Sequence, residues 1–221
     1  VTGLPSRRAT LAFTTGLALA GSAFAADRVT VIDAARVYPF LERFLRLPPT
    51  EHDRFVLAYY AYANGKPATT LKLSFTAGAD RWPVPVAADG LIERTPTLRE
   101  LQSDPQVIVE GPDGVTLSIT QEVHPSFPPA QEMDANEIRA ALAQVTAATH
   151  RLAGPFSFIA PSLQRAEFHG VGGIGEAVYA DGHVVRLKLC FGNPCFDADM
   201  VGVVRLRFPR RPERIELEPK D

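Results

Sequence analysis

The chain has 221 residues, 46% of them hydrophobic and 22% charged, with a formal net charge of −2. That balance fits one large or two small globular domains, and without a long basic run it argues against nucleic acid as a partner. After the first residues no apolar stretch is long enough to span a bilayer as a helix, so no membrane span is expected.

Residues 1–25 read as an export signal. Arg7 and Arg8 form a positive region, Leu11–Gly21 is a short apolar segment, and Ala23 and Ala25 supply the small residues of a signal-peptidase site. Ser6-Arg7-Arg8-Ala9-Thr10-Leu11 also resembles a twin-arginine signal, with Thr10 where that pattern prefers an aromatic. The segment holds no cysteine to lipidate, and its removal takes the formal charge to −4. The expected location is the periplasm or the secreted medium.

Residues 26–123 read as an immunoglobulin-like β-sandwich with one N-terminal helix. An extended run, Arg28–Ile32, precedes a helix over Tyr38–Leu47 with Pro39 in its first turn. Phe40, Leu41, Phe44 and Leu45 form the apolar stripe of that helix, and Pro48-Pro49 ends it. Strands follow over Phe55–Ala63, Thr69–Thr76, Arg81–Val86, Leu91–Arg94, Gln106–Glu110 and Val115–Glu122, separated by Asn-Gly, Asp-Gly and Gly-Pro-Asp-Gly turns. Phe55–Tyr62 is apolar on both faces, which predicts cover on both sides. Its tyrosines and Trp82 are read either as core or as a sugar-binding platform, since each ring has an apolar body and a polar tip.

Residues 124–133, with three prolines between His124 and Pro129, read as a linker that breaks regular structure. Residues 134–221 read as a helix packed on an antiparallel β-meander. Asp134 and Glu137 predict a capping box. Ile138, Leu142, Val145, Thr149 and Leu152 recur at helical spacing, and Gly154-Pro155 is the stop signal. The meander strands are Ile174–Ala180, Val184–Cys190 and Val201–Phe208, the first two joined at Asp181-Gly182 by a predicted two-residue turn. The mainly β chain is therefore of the α+β class. The layout resembles exported proteobacterial proteins grouped as domains of unknown function, through A-A-D-G-L-I-E-R-T-P at 87–96 and R-L-A-G-P-F-S-F at 151–158. That resemblance implies export and brings no catalytic residue or cofactor.

Cys190 and Cys195 bracket Phe-Gly-Asn-Pro and are expected to form a disulfide. Gly170-Val-Gly172-Gly173-Ile-Gly175 matches a dinucleotide fingerprint in letters only. A strand and turn follow it, where phosphate binding needs a helix N-terminus. The acidic run at Asp197 fails as a calcium loop at its third and last ligand positions, Val201 and Phe208. The histidines are scattered. A metal site from Glu167, His169 and His183 is weaker than a reading of them as surface polar groups, so no metal and no cofactor is expected.

Two features carry candidate binding residues. Arg186, Lys188, Arg205 and Arg207 would share one strand face, forming either a solvated surface or a cationic patch for an anionic envelope component or glycan. Glu176 would face Leu187 under the helix, paired with Arg139 or Arg151 or marking a polar pocket, unless a bulge turns it to solvent. No catalytic residue is nominated. The leading expectation is a noncatalytic periplasmic protein with a binding or envelope-maintenance role. The alternatives are a carrier holding a ligand between helix and sheet, and a hydrolase with dispersed carboxylates. The mature protein should begin at Ala26, and intact-mass analysis of a periplasmic fraction should find that species and no chain retaining residues 1–25.

Overall fold

Alternating apolar and polar residues between closely spaced turns build antiparallel sheets throughout, with a single long helix. The computed structural model describes residues 28–220; the expected export signal and cleavage site lie outside them. The chain divides into two units, one of 28–39 with Tyr59–Gln121 and one of Phe40–Ala58 with 122–220. The segment Phe40–Ala58 thus belongs to the second unit and not to the first half of the chain, where the sequence reading put it.

The elements of the first unit are β1 (Arg28–Asp33), α1 (Ala34–Val37) and, after the short helix α2 (Leu41–Leu45) of the second unit, most of β2 (Phe55–Ala63). Then come β3 (Lys66–Pro67), β4 (Lys72–Ala77), β5 (Asp80–Pro83), α3 (Leu98–Leu101), β6 (Gln106–Gly111) and the start of β7 (Leu117–Pro125). One sheet runs β1-β6-β4-β5 and another β3-β2-β7. The mainly β reading holds; an immunoglobulin-like arrangement is not established by these pairings. Leu91–Arg94 forms no full strand and contributes bridges from Leu91 to Tyr60 and from Ile92 to Val86.

The helix predicted over Tyr38–Leu47 is shortened to α2, because Pro39 lies outside it, between α1 and α2. Pro39 cannot donate a backbone hydrogen bond, and Phe40 beyond it adopts a left-handed φ of 63°. Tyr38, between the two short helices, turns inward. Its ring meets Tyr59 edge-on at 5.3 Å and Phe75 at 6.2 Å, while Tyr59 Oη donates to Pro39 O at 2.8 Å. Ala58 to Ala61 are consecutively buried, so β2 is covered on both faces as its sequence predicts. Burial pushes both phenols above their ordinary pKa and keeps them neutral.

The second unit continues with the end of β7, then β8 (Glu132–Asp134), α4 (Ala135–Ala153), β9 (Leu163–His169), β10 (Glu176–Tyr179) and β11 (Val184–Arg186). It closes with β12 (Lys188–Cys190), β13 (Asn193–Asp197), β14 (Val203–Arg207) and β15 (Arg214–Pro219). The predicted linker is shorter than expected. His124 and Pro125 finish β7, where a missing proline N–H is tolerated at a strand end, and Glu132 already pairs with Arg207. Ser126 between them donates to Asp53 O at 2.6 Å.

Ala-rich α4 forms where its stripe predicts. Its Asp134 cap accepts from the Asn136 N–H, one residue short of the expected capping box; the reciprocal box occurs instead at α3, between Thr97 and Glu100. Ala135, Ile138, Leu142 and Val145 are buried, and α4 touches both sheets of this unit. These are β11-β10-β14-β8 and β12-β13-β9-β15. The single predicted strand Val184–Cys190 is divided between them: Leu187 is buried, and its N–H donates to Gly175 O at 2.8 Å. Gly175 has to be glycine, because a Cβ there would meet Phe208 Cε1 at 2.8 Å and Pro194 Cβ at 2.9 Å. The polar C-terminal stretch also forms a strand, β15, with Ile215 and Leu217 buried.

Leu206 is fully buried in register with Ala177 and Met133, on the side of its sheet that α4 covers. Leu206→Ala should destabilise the protein by about 2–5 kcal/mol. Val201→Ala, at a side chain 87% exposed, should stay within about 0.5 kcal/mol, both read by urea unfolding.

Candidate functional site

The residues nominated from sequence separate into three places. Arg186 on β11, Glu176 on β10, Arg207 on β14 and Glu132 on β8 are register partners, so they form one row across the sheet. The opposite face carries Ala177, Leu206 and Met133, all buried, so this row faces outward. Its charges alternate. Arg207 Nε donates to Glu132 Oε1 at 3.0 Å, and Arg205 Nη1 donates to Glu132 Oε2 at 3.2 Å. Arg205 itself stands in the next row, in register with Val178 and Asp134. The three arginines therefore share their face with three carboxylates. Lys188 is on β12 in the other sheet, hydrogen-bonded to Asp197. Trp82 is in the first unit, stacked on Phe75 at 4.5 Å with the Arg94 guanidinium 4.1 Å from its ring. Glu100 holds that arginine at 3.1 Å, a geometry that serves packing.

Glu176 does not face Leu187. The Asp181-Gly182 hairpin has three loop residues, closed by Tyr179 N donating to His183 O at 2.9 Å with Gly182 at φ 89°. One added residue moves the register by one and turns Glu176 to the outward face, opposite Arg186. Its expected partners are engaged elsewhere. Arg139 donates to Ala198 O and Met200 O, and Arg151 pairs with Glu51.

The second place is the polar face of the β12-β13-β9-β15 sheet. Asp197, Arg165 and Glu218 form one of its rows, and Lys188, Cys195, Glu167 and Glu216 the next. Arg165 Nε donates to Asp197 Oδ1 at 2.9 Å, both residues being buried. Burial alone would push the Asp197 carboxyl up. Hydrogen bonds from Lys188 and Arg165 outweigh it and hold the group below the usual carboxylate range. Glu167 accepts from Asn193 Nδ2 at 2.7 Å, and His169 Nε2 lies 3.3 Å from Glu216. His183 is not near this cluster: it stacks on Tyr179 at 3.9 Å in the other sheet. Among the described residues no three His, Cys, Asp or Glu side chains are placed to hold a metal ion.

The tip of the β12–β13 hairpin was not nominated as a binding site. Cys190 and Cys195 are bonded diagonally across β12 and β13, with Cα atoms 5.8 Å apart, as their spacing predicts. The oxidised pair fits an extracytoplasmic environment. Cys190 pairs with Asn193, so the turn between the strands is two residues, Phe191-Gly192, and not the four-residue connection expected. Both have positive φ, 52° and 94°, the type I′ geometry that favours Asn-Gly. A phenylalanine held left-handed costs about 1–2 kcal/mol. Phe191 is 54% exposed and Leu189 51%, and Ile174 at 47% lies on the loop beside them. A Cβ on Gly173 would lie 3.4 Å from Gly192 O and 4.0 Å from Leu189 Cδ1, so loop and tip are in contact. The Arg186 Nη2 group is 3.4 Å from Gly173 O, and Arg210 Nη2 approaches Gly172. The sequence signal for this site was the Phe-Gly dipeptide at a turn that calls for Asn-Gly.

Two depressions accompany these faces. One of about 340 Å³ is lined by Glu132, Met133, Asp134, Asn136, Val204 and Arg205, whose polar groups largely bond one another. Another, of about 40 Å³, lies in the first unit near Asp113 and is too small for a drug-sized ligand. No described helix is long and apolar enough to cross a membrane. Compared with known proteins, the chain matches no family model, no curated protein and no solved structure.

Asp197→Asn should leave Arg165 without its close carboxylate and destabilise the protein by about 3–5 kcal/mol at neutral pH. The folded carboxyl titrates below its ordinary value. Its contribution is therefore complete above the unfolded carboxylate pKa and is lost as pH falls through the folded one. Urea unfolding of wild type and variant should converge in stability in acid.

Proposed function

We propose that this is an exported, noncatalytic protein of the periplasm or secreted medium that binds a component of the cell envelope through an open surface. The supporting observation is the disulfide-bonded hairpin tip, which holds Phe191 and Leu189 toward solvent in a backbone geometry unfavourable to phenylalanine. Conformational cost at an apolar residue more than half exposed fits selection for contact. The carrier alternative has less support, because the space between α4 and its sheets is filled by Ile138, Leu142, Phe168, Phe196 and Leu206. For the hydrolase alternative, the buried carboxylate Asp197 is tied to Arg165, Lys188 and Lys220 and kept ionised, a poor acid.

The experiment is cosedimentation of purified mature protein with washed envelope fragments from a Gram-negative host. Wild type should pellet with the fragments, and Leu189→Ser with Phe191→Ser should remain in the supernatant. Wild type left in the supernatant would overturn the reading, as would a variant that pellets equally.

A further inference from the structure

We propose that β1 is an assembly edge, on which a second copy of this chain lays its own β1 as an antiparallel strand about a two-fold axis. β1 belongs to the first unit and the hairpin tip to the second, so this contact is independent of envelope binding.

An edge strand turns the backbone N–H and C=O groups of alternate residues away from its neighbour, where another strand can take them up. β1 pairs with β6 over all six of its residues with no shift of register, and no described strand lies on its other side. Proteins blunt such edges with proline, lysine, a bulge or short length. The opposite edge of the same sheet, β5, has four residues and ends in Pro83. In the second unit β8, β11 and β12 have three residues each, and β15 ends in a bulge between Glu218 and Pro219. β7 is also an edge, but none of its nine residues is exposed. β1 contains no proline, no lysine and no bulge. Its Val29-Thr30-Val31-Ile32 are four consecutive β-branched residues, the type that favours strand pairing.

The side chains suit a copy of the same strand. Val29 and Val31 share the outer face, 61% and 54% exposed, while Thr30 and Ile32 are half-buried on the inner one. Across β6 and β4, Val31 continues into Ile108 and Ser74, and Val29 into Glu110 and Lys72. A two-fold axis through Thr30 sets Val29 of each copy opposite Val31 of the other, with the faces of the two sheets matched. Four valines then form one strip bordered by Ile108 of both copies. The strand begins at Arg28 and ends at Asp33, both exposed, although Arg28 also reaches Asp113 at 3.4 Å and Asp33 accepts from the Ala35 N–H. Antiparallel approach brings opposite charges together at both ends, a complementarity that the strand has with itself.

Six residues make a small interface, so the dimer should be weak and form at high concentration. Sedimentation equilibrium of purified mature protein up to about 1 mM should show reversible monomer and dimer. Hydrogen exchange at low and high concentration should show the Arg28–Asp33 amides gaining protection as the dimer forms. Val29→Lys with Val31→Lys changes exposed positions only, so the variant should stay folded in urea titration and associate about tenfold more weakly or worse. Wild type that remains monomeric throughout overturns the proposal and leaves the edge to a foreign strand. A dimer whose β1 amides exchange as fast as those of the monomer overturns it too, as does a folded lysine variant that associates as well as wild type.

Discussion

Helix α4 has one apolar stripe, and two sheets compete to cover it. Ile138, Leu142 and Val145 cannot remain in water, and neither sheet of the second unit is wide enough to bury its own inner face without a partner. The solution is one helix shared by both. Ala177, Leu206 and Met133 come from one sheet, and Ala166, Phe168, Phe196 and Leu217 from the other. The strand-like run at 184–190 has to pass between them, and Leu187 is where it changes sheets. Its N–H goes to Gly175 O, and the bare glycine lets Phe208 and Pro194 close over the crossing. Gly175, the last glycine of the cluster that imitates a nucleotide fingerprint, is thus a consequence of steric closeness between sheets.

With the inner faces assigned to α4, everything polar is forced outward, and strand period then decides which charges meet. On one sheet this yields alternating signs across four strands, each arginine beside a carboxylate. On the other it places Asp197 against Arg165 with Lys188 above, close enough to keep the carboxylate ionised despite burial. Both arrays are satisfied within the protein. A patch that looks cationic when arginines are counted along strands is nearly neutral once the neighbouring strands are known.

Local signals were legible where geometry depends on neighbouring residues alone. The bounds of β2, the stripe and stop of α4, and the Cys190–Cys195 bond all follow from spacing within a short window. Register was not legible, because Asp181-Gly182 suits a two-residue loop and a three-residue loop alike, and the difference reverses the face of Glu176. Pairings between distant segments were equally hidden. Nothing near Arg165 in sequence points to Asp197, and β15 was not among the predicted strands although its buried Ile215 and Leu217 alternate with charged residues. The helix boundary at Pro39 failed for a subtler reason: proline is acceptable in a first helical turn, but here it separates two helices so that Tyr38 can reach Tyr59.

The tip shows how a local rule broken by the sequence becomes informative once the fold is known. A hairpin needs positive φ at both turn positions, and glycine supplies the second at no steric cost. Asparagine at the first would relieve the remaining strain without disturbing the Cys190–Asn193 pair that closes the turn. Phe191 therefore holds the turn at a conformational cost that asparagine would avoid, with its ring more than half exposed and Leu189 and Ile174 extending the apolar surface beside it.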